Sequence, residues 1–207
     1  MRVFRTRNPK RATRNNNQDL KFETVINMRI LREHTIGLVI DIQERLVPVM
    51  EENGQLTENC TKLIKGLQIL GLPLIITQQY SKGLGGTVAE IKSIIPDFQF
   101  IEKKAFSCLD EPVFAEKLAR SGAENVIICG IESHVCVLQT AIDLNDAGYT
   151  PVVVMDCVSS RSSDDADWAA ERLHYEGIMM TSCESILFEL TRSAGADEFK
   201  EISNLLK

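Results

Sequence analysis

The chain alternates six short apolar segments with longer segments in which apolar residues recur at helical spacing. Short strands joined by helices predict a parallel sheet that helices cover on both faces. We therefore predict an α/β fold of three layers, α-β-α, built on a doubly wound sheet of six mainly parallel strands. The predicted strands are residues 37–41, 74–77, 98–102, 125–129, 150–155 and 178–181. The predicted helices are residues 56–70, 112–121, 133–147, 164–176, 183–190 and 196–205.

A cysteine lies where the fourth predicted strand passes into a helix, in the segment GIESHVCV at residues 130–137. Ser133 is a preferred N-cap residue type, which would put Cys136 in the first helical turn. Unpaired backbone N–H groups and the helix dipole would lower the pKa of a thiol at that position. Open α/β sheets also bind their ligands at the carboxyl ends of strands. The segment predicts a reactive thiol, and the alternative is a buried cysteine that acts as a small apolar residue.

Charged residues end two other predicted strands. Asp41 follows a continuous apolar run, and Lys103 and Lys104 follow the third strand. Taken alone, Asp41 would cap a short helix at residues 43–50, and the two lysines would be a solvated charge pair. Right-handed crossovers, however, bring the carboxyl ends of the first, third and fourth strands to one crevice. A carboxylate, a lysine and the thiol of Cys136 are therefore expected at the same edge of the sheet.

Together these segments resemble the isochorismatase-like cysteine hydrolases over about residues 35 to 190. The matching motifs are IDIQERL at residues 40–46, TQQYSKGLGGTVAEI at residues 77–91, EKKAFS at residues 102–107, GIESHVCV at residues 130–137 and DCVSSRSSDDADWAAERL at residues 156–173. The second and last motifs are most similar to the branch of isochorismatase domain-containing proteins. The resemblance implies an isochorismatase-like fold of Rossmann type and a catalytic triad of Asp41, Lys103 and Cys136, with Lys104 as the alternative lysine.

The resemblance also implies a mechanism for this triad. Asp41 would take the thiol proton and later deliver it to a leaving amine, while Lys103 keeps the carboxylate ionised. Cys136 would attack a carbonyl carbon and form a thioester. A cis peptide is implied between the residues at 131 and 132. The residues expected to contact the substrate are Gln43, Tyr80, Phe106, Ile131, Glu132 and His134.

Histidines are scarce, and this limits the metal chemistry that the sequence predicts. Metal-dependent nicotinamidases of the same superfamily have Asp-x-His and a further histidine after the second strand, where this chain has QQYS at residues 78–81. No other His, Cys or Asp cluster has zinc-site spacing. We predict no metal, no cofactor and cleavage of a C–N bond in a small amide. The alternatives are hydrolysis of a vinyl ether, as in true isochorismatases, and a thiol-reactive or non-catalytic protein.

Composition fits one enzyme domain with a small-molecule substrate. The chain of 207 residues is long enough for a substantial core. Apart from Cys136, its cysteines lie in or beside apolar runs, which is typical of reduced thiols in a cytoplasmic protein. The net charge of −6 argues against nucleic acid as a partner, and no apolar run reaches the length of a membrane span. By resemblance we also expect a homo-oligomer.

The first 27 residues differ from the rest, with seven Lys or Arg and two Asp or Glu. They lack the apolar centre of a secretory signal peptide. We predict that residues 1–27 are a disordered or loosely ordered basic extension, and that residues 28–207 form the hydrolase domain. An organellar targeting segment and a start of translation at Met28 are the alternatives for this extension.

Overall fold

Six strands form one sheet in the order β3-β2-β1-β4-β5-β6, and every pair of neighbours is parallel. This computed structural model describes residues 29–207, so the predicted extension at residues 1–27 lies outside the described residues. The predicted α/β class is confirmed. The strands are β1 (Thr35–Ile40), β2 (Leu74–Gln79), β3 (Ile101–Lys103), β4 (Asn125–Ile131), β5 (Thr150–Ser159) and β6 (Met179–Thr181).

Helices cover both faces of this sheet. Their bounds are α1 (Asn53–Ile69), α2 (Ser81–Leu84), α3 (Ala89–Lys92), α4 (Pro112–Ser121), α5 (Leu138–Asp146), α6 (Ser163–Tyr175), α7 (Cys183–Thr191) and α8 (Phe199–Leu205). Apolar residues of α1, α7 and α8 form one core cluster, and those of α4, α5 and α6 form a second. We call the two sides of the sheet the α1 face and the α5 face. Within residues 29–207, no helix combines the length and apolarity that a membrane span requires.

Alternate residues of the central strands enter the two cores. Val39 packs on the α1 face, whereas Leu38 and Ile40 pack on the α5 face. All six residues of β1 are buried, which explains why its sequence is continuously apolar. The chain runs outward from β1 to β3 and then returns to begin β4 on the other side of β1. Strand order therefore reverses between β1 and β4, and a ligand crevice is expected at their carboxyl ends.

Gly130 allows β1 and β4 to approach closely at this crevice. A Cβ atom at residue 130 would lie 2.0 Å from the carbonyl oxygen of Ile40, far inside van der Waals contact. Its φ of 122° also lies in the region that residues with side chains avoid. Glycine here lets the residues that follow β1 and β4 meet.

The predicted helix at residues 133–147 is divided in two. Ser133–Val137 form a π-helix, and α5 begins only at Leu138. The N–H groups of Val135 and Val137 both donate to the carbonyl of Glu132, at 3.1 and 3.2 Å. The second of these bonds spans five residues, and it widens the turn in which Cys136 lies.

The short helix predicted at residues 43–50 is reduced to one 3-10 turn, Val47–Val49. One helical turn forms there, because the Val47 N–H donates to the carbonyl of Gln43 at 2.9 Å, but Pro48 has no N–H with which to continue the pattern. The N–H of Glu44 donates to the carbonyl of Gly86, in the loop that follows α2, at 3.0 Å. The N-cap residue of the 3-10 turn is Leu46, so Asp41 does not cap it.

Candidate active site

Asp41 follows β1 directly, and its carboxylate points into the protein. Its φ of 51° is left-handed, a conformation that Asp and Asn tolerate better than most residues. The side chain is 0% exposed. The Thr77 hydroxyl, on the neighbouring strand β2, donates to Oδ1 of Asp41 at 2.8 Å. One carboxylate oxygen is thus held in place, and the other faces β3.

Lys103 is the last residue of β3, and it reaches Asp41 across β2. Adjacent strands lie about 4.8 Å apart, so the two backbones are separated by about 10 Å and only a long side chain can bridge them. Its Nζ lies 2.6 Å from Oδ2 of Asp41, and neither side chain is exposed. Nζ also donates to Oε1 of Gln79 at 2.7 Å and to the carbonyls of Ala105 and Phe106, each at 3.3 Å.

Cys136 completes the group from the π-helix that follows β4. Its Sγ lies 3.5 Å from Nζ of Lys103, and the residue is 6% exposed. The structure therefore brings together Asp41, Lys103 and Cys136, three residues from distant segments. Lys104, the alternative lysine, is exposed, because successive side chains of a strand point to opposite faces.

Comparison with known proteins shows the family to which this chain belongs. Residues 35–185 match the family model described as the isochorismatase domain. The chain belongs to the isochorismatase family. It is 36% identical over 184 residues to the secreted isochorismatase effector Isc1 of Phytophthora sojae, covering 86% of this chain and 87% of that protein. It is 38% identical over 167 residues to isochorismatase domain-containing protein 1 of Danio rerio, covering 81% of this chain and 59% of that protein.

Among solved structures, this isochorismatase-family hydrolase is similar to the MAR1 ribonuclease of Caenorhabditis elegans. The two chains share 34% of their residues and superpose with a TM-score of 0.81. The match covers 86% of this chain and 92% of that one.

The electrostatics of the site favour a protonated thiol at rest. Burial raises the pKa of Asp41 above its ordinary value of 3.8, and the Lys103 ammonium offsets only part of that rise. Burial opposes the charge on Lys103, but its attractions to Asp41, Cys136 and Cys108 together outweigh burial and raise the pKa of the ammonium. Burial, together with the negative charge of Asp41, raises the pKa of the Cys136 thiol to about 12.

The sequence-based expectation of a lowered thiol pKa is therefore wrong. Ser133 does not cap the helix. Its buried hydroxyl has no hydrogen-bond partner among the described residues. The wide turn buries Cys136 near the Asp41 carboxylate, and burial and the negative charge together outweigh any benefit of the helix terminus.

Gln43, expected to contact the substrate, lies in the interior instead. It is 0% exposed. Its Nε2 donates to the carbonyls of Gln79 and Gly85 at 3.0 and 2.7 Å, and its Oε1 accepts from the Gln79 N–H at 2.7 Å. The side chain therefore joins the end of β2 to the loop after α2, which supports the wall of the crevice.

Two aromatic residues expected at the substrate site lie at the rim of the sheet. Tyr80 follows β2 and is 47% exposed, and Phe106 follows β3 and is 53% exposed. The Tyr80 N–H donates to the carbonyl of Lys103 at 3.0 Å, which ties this rim to the ion pair. Ile131 is fully buried, and the peptide that joins it to Glu132 is cis.

Glu132 and His134 face the connection between β5 and α6. The Glu132 carboxylate accepts from Nε of Arg161 at 2.9 Å. His134 Nδ1 lies 2.9 Å from the Ser160 hydroxyl, and its Nε2 lies 3.9 Å from the Asp165 carboxylate. Both residues are thus held on the β5 side of Cys136, away from the β3 side, where Lys103 lies.

Sequence reasoning missed Thr77 and Gln79, the two β2 residues that contact the ion pair. The sequence does contain a signal for them, because polar residues are rare in a buried strand unless they have hydrogen-bond partners. No group of three His, Cys, Asp or Glu residues within 29–207 is arranged to hold a metal ion. The predicted metal independence stays a prediction.

Proposed function

We propose that this isochorismatase-family hydrolase cleaves a C–N bond of a small amide through a thioester on Cys136. The observation that supports the proposal best is the buried contact among Asp41, Lys103 and Cys136. A buried ion pair adds little to stability, since desolvation offsets the attraction. A charged pair held against a nucleophilic atom is better explained by chemistry.

Asp41 is the proton carrier in the proposed mechanism. The resting thiol lies beside the Lys103–Asp41 pair, and its raised pKa means that the proton moves to Asp41 only as sulfur attacks. Sulfur then bonds to the carbonyl carbon, and the Lys103 ammonium stabilises the negative charge that develops on the sulfur as it loses its proton. Protonated Asp41 gives the proton to the leaving amine. Water next attacks the thioester, Asp41 takes the water proton, and the carboxylic acid and thiol are released.

The walls of the crevice set the size of the substrate. We propose that Tyr80, Phe106, Glu132 and His134 contact the substrate and that Gln43 and Ile131 support them from the interior. The exposed aromatic rings suit an apolar substituent on the amide. No cofactor is needed for this reaction.

A screen of small primary amides for released ammonia tests the proposal. Cys136→Ala should abolish release, and Cys136→Ser should be nearly as inactive because Asp41 is a weak base for an alcohol. Cys108→Ala is the matched control: Cys108 is also buried on the α5 face, but its Sγ hydrogen-bonds to the Thr77 hydroxyl, at 4.0 Å, and not to Lys103. It should keep most of the activity, and a chelator should change nothing.

Hydrolysis of a vinyl ether is the second candidate, because that reaction needs an acid and no thiol. Asp41 would then protonate the substrate. Activity on an isochorismate-type ether that survives Cys136→Ala but not Asp41→Asn would replace the amidase proposal.

RNA cleavage is a third candidate, since the similar protein from Caenorhabditis elegans is named a ribonuclease. The net charge of −6 disfavours a polyanionic substrate. A short RNA included in the same screen tests this candidate. RNA cleavage that is unchanged in Cys136→Ala would contradict a thioester mechanism.

The remaining proposals concern assembly and location. We propose a homo-oligomer, on the ground that Trp168 and Tyr175 of α6 are 64% and 86% exposed. Light scattering on the purified chain measures this. A cytoplasmic location stays a prediction, and the relative from Phytophthora sojae is named a secreted effector.

A further inference from the structure

We infer that Gln79 is a positioning residue whose uncharged amide keeps the Lys103 ammonium available to a thiolate at Cys136. The inference rests on the proposed function, since it concerns how the same site forms its nucleophile. Gln79 was absent from the residues that the sequence suggested, and its side chain contacts the ammonium directly.

Gln79 makes one of the two short contacts of the ammonium. Nζ of Lys103 lies 2.6 Å from Asp41 Oδ2 and 2.7 Å from Gln79 Oε1, whereas the remaining acceptors lie at 3.3 to 3.5 Å. An ammonium has three protons. Asp41 and Gln79 fix two of them, which leaves the third directed between the loop carbonyls and the sulfur of Cys136.

The amide of Gln79 is itself fixed. Its Cα is the register partner of Lys103 in the β2–β3 pair. Its backbone N–H and carbonyl are both bonded to the Gln43 side chain, at 2.7 and 3.0 Å. Its Nε2 donates to the carbonyl of Lys104 at 2.8 Å. Because the amide nitrogen faces a carbonyl, its oxygen must face the ammonium. The reverse orientation would oppose two donors at Lys103 and two acceptors at the Lys104 carbonyl.

The neutrality of this amide matters as much as its position. A carboxylate at residue 79 would be a second anion on the same ammonium. Nζ lies 2.7 Å from Gln79 Oε1 and 3.5 Å from the Cys136 sulfur, so that anion would lie within about 6 Å of the sulfur. A charge at that distance changes the equilibrium of thiol ionisation by about ten- to a hundredfold. The positive charge of Lys103 would then be shared by two carboxylates, and thiolate formation would become less favourable. Glutamine binds the ammonium without neutralising it.

The test is the rate at which iodoacetamide alkylates Cys136, followed against pH by mass spectrometry of peptides from the folded protein. We expect Gln79→Glu to slow alkylation about ten- to a hundredfold at pH 8 and to move the rate profile to higher pH. Gln79→Leu should slow it about fivefold, the effect of one lost hydrogen bond, with no shift of the profile.

Gln78→Glu is the matched control. It adds the same charge one residue earlier on β2, but its side chain points to the other face and bonds Thr87 and Ser81. Its profile should match that of the wild type.

Three results would overturn the inference. The first is an unshifted pH profile in Gln79→Glu, and the second is an equal shift in Gln78→Glu. The third is a wild-type alkylation rate in Gln79→Leu. The Gln79→Leu measurement alone tests the inference if Gln79→Glu does not fold. Selective alkylation of wild-type Cys136 with any of these results removes only the role of Gln79. Absence of selective alkylation in the wild type would instead remove the proposed function.

Discussion

The two faces of the sheet hold cysteines in different surroundings. On the α5 face, Cys136 touches a buried ammonium at 3.5 Å. On the α1 face, the Cys60 thiol donates to the carbonyl of Cys157 at 3.2 Å, and the Cys183 thiol lies 3.9 Å from the carbonyl of Asn59. All six cysteines of the chain are buried free thiols.

Residue type and burial therefore do not decide reactivity here. Cys136 is 6% exposed and Cys183 is 4% exposed, so solvent reaches the two almost equally. Of these two residues, only Cys136 has a lysine ammonium within 3.5 Å of its sulfur. The thiols of the α1 face act as small apolar residues of the core.

The largest expected effect is the difference in alkylation between the two faces. In the folded protein at pH 8, iodoacetamide should modify Cys136 at least about a thousandfold faster than Cys60 and Cys157, which become accessible only when the chain unfolds. Equal rates at Cys136, Cys60 and Cys157 would mean that the crevice gives the reagent no access to the sulfur of Cys136.

Removal of the Lys103 ammonium should destabilise the protein on the α5 face of the sheet. Lys103→Met leaves the buried Asp41 carboxylate unpaired, and we expect the free energy of unfolding to fall by about 3–5 kcal/mol. Lys104→Met, the exposed neighbour, should change it by less than about 0.5 kcal/mol. Urea unfolding measures both. A Lys103→Met variant as stable as the wild type would show that Asp41 is not held as an anion.

Removal of the Asp41 carboxylate should change the alkylation rate of Cys136 and the rate of amide hydrolysis in opposite directions. Asparagine tolerates the left-handed backbone at residue 41, but the negative charge that helps raise the thiol pKa is lost. Alkylation of Cys136 in Asp41→Asn should rise about tenfold at pH 8, the effect of one pKa unit, while amide hydrolysis is lost with the proton carrier. Slower alkylation would indicate that Asp41 assists even the attack on iodoacetamide.

The pH dependence of hydrolysis should follow Asp41. Because its pKa is raised, the carboxylate becomes half protonated at a pH higher than the ordinary 3.8, and a protonated Asp41 cannot accept the thiol proton. Hydrolysis should therefore fall as pH decreases through that higher value. A rate that is constant down to pH 4 would contradict the role of Asp41 as base.

The smallest effect is expected at Ser133, at the start of the π-helix. Its hydroxyl is buried without a partner among the described residues, so Ser133→Ala removes an unsatisfied group. We expect a gain in the free energy of unfolding of up to about 1 kcal/mol, with the alkylation of Cys136 unchanged. A loss of stability in the urea transition would mean that the hydroxyl has a partner in solution.

The sequence by itself determined the layers of this fold and the edge where the site lies. Continuous apolar runs mark strands buried on both faces, and a parallel sheet places all of their carboxyl ends at one edge. Asp41, Lys103 and Cys136 each follow or end such a run. Their positions relative to the strands were therefore readable before any contact was known.

Only the tertiary structure decided which side chains meet at that edge and in which protonation state. Whether Lys103 or Lys104 points inward depends on the register of β3, and a shift of one residue would exchange them. The burial of Gln43 and the bond from Lys103 to Gln79 depend on contacts between strands far apart in sequence. The raised thiol pKa of Cys136 arises from burial and a neighbouring charge, which local sequence does not specify.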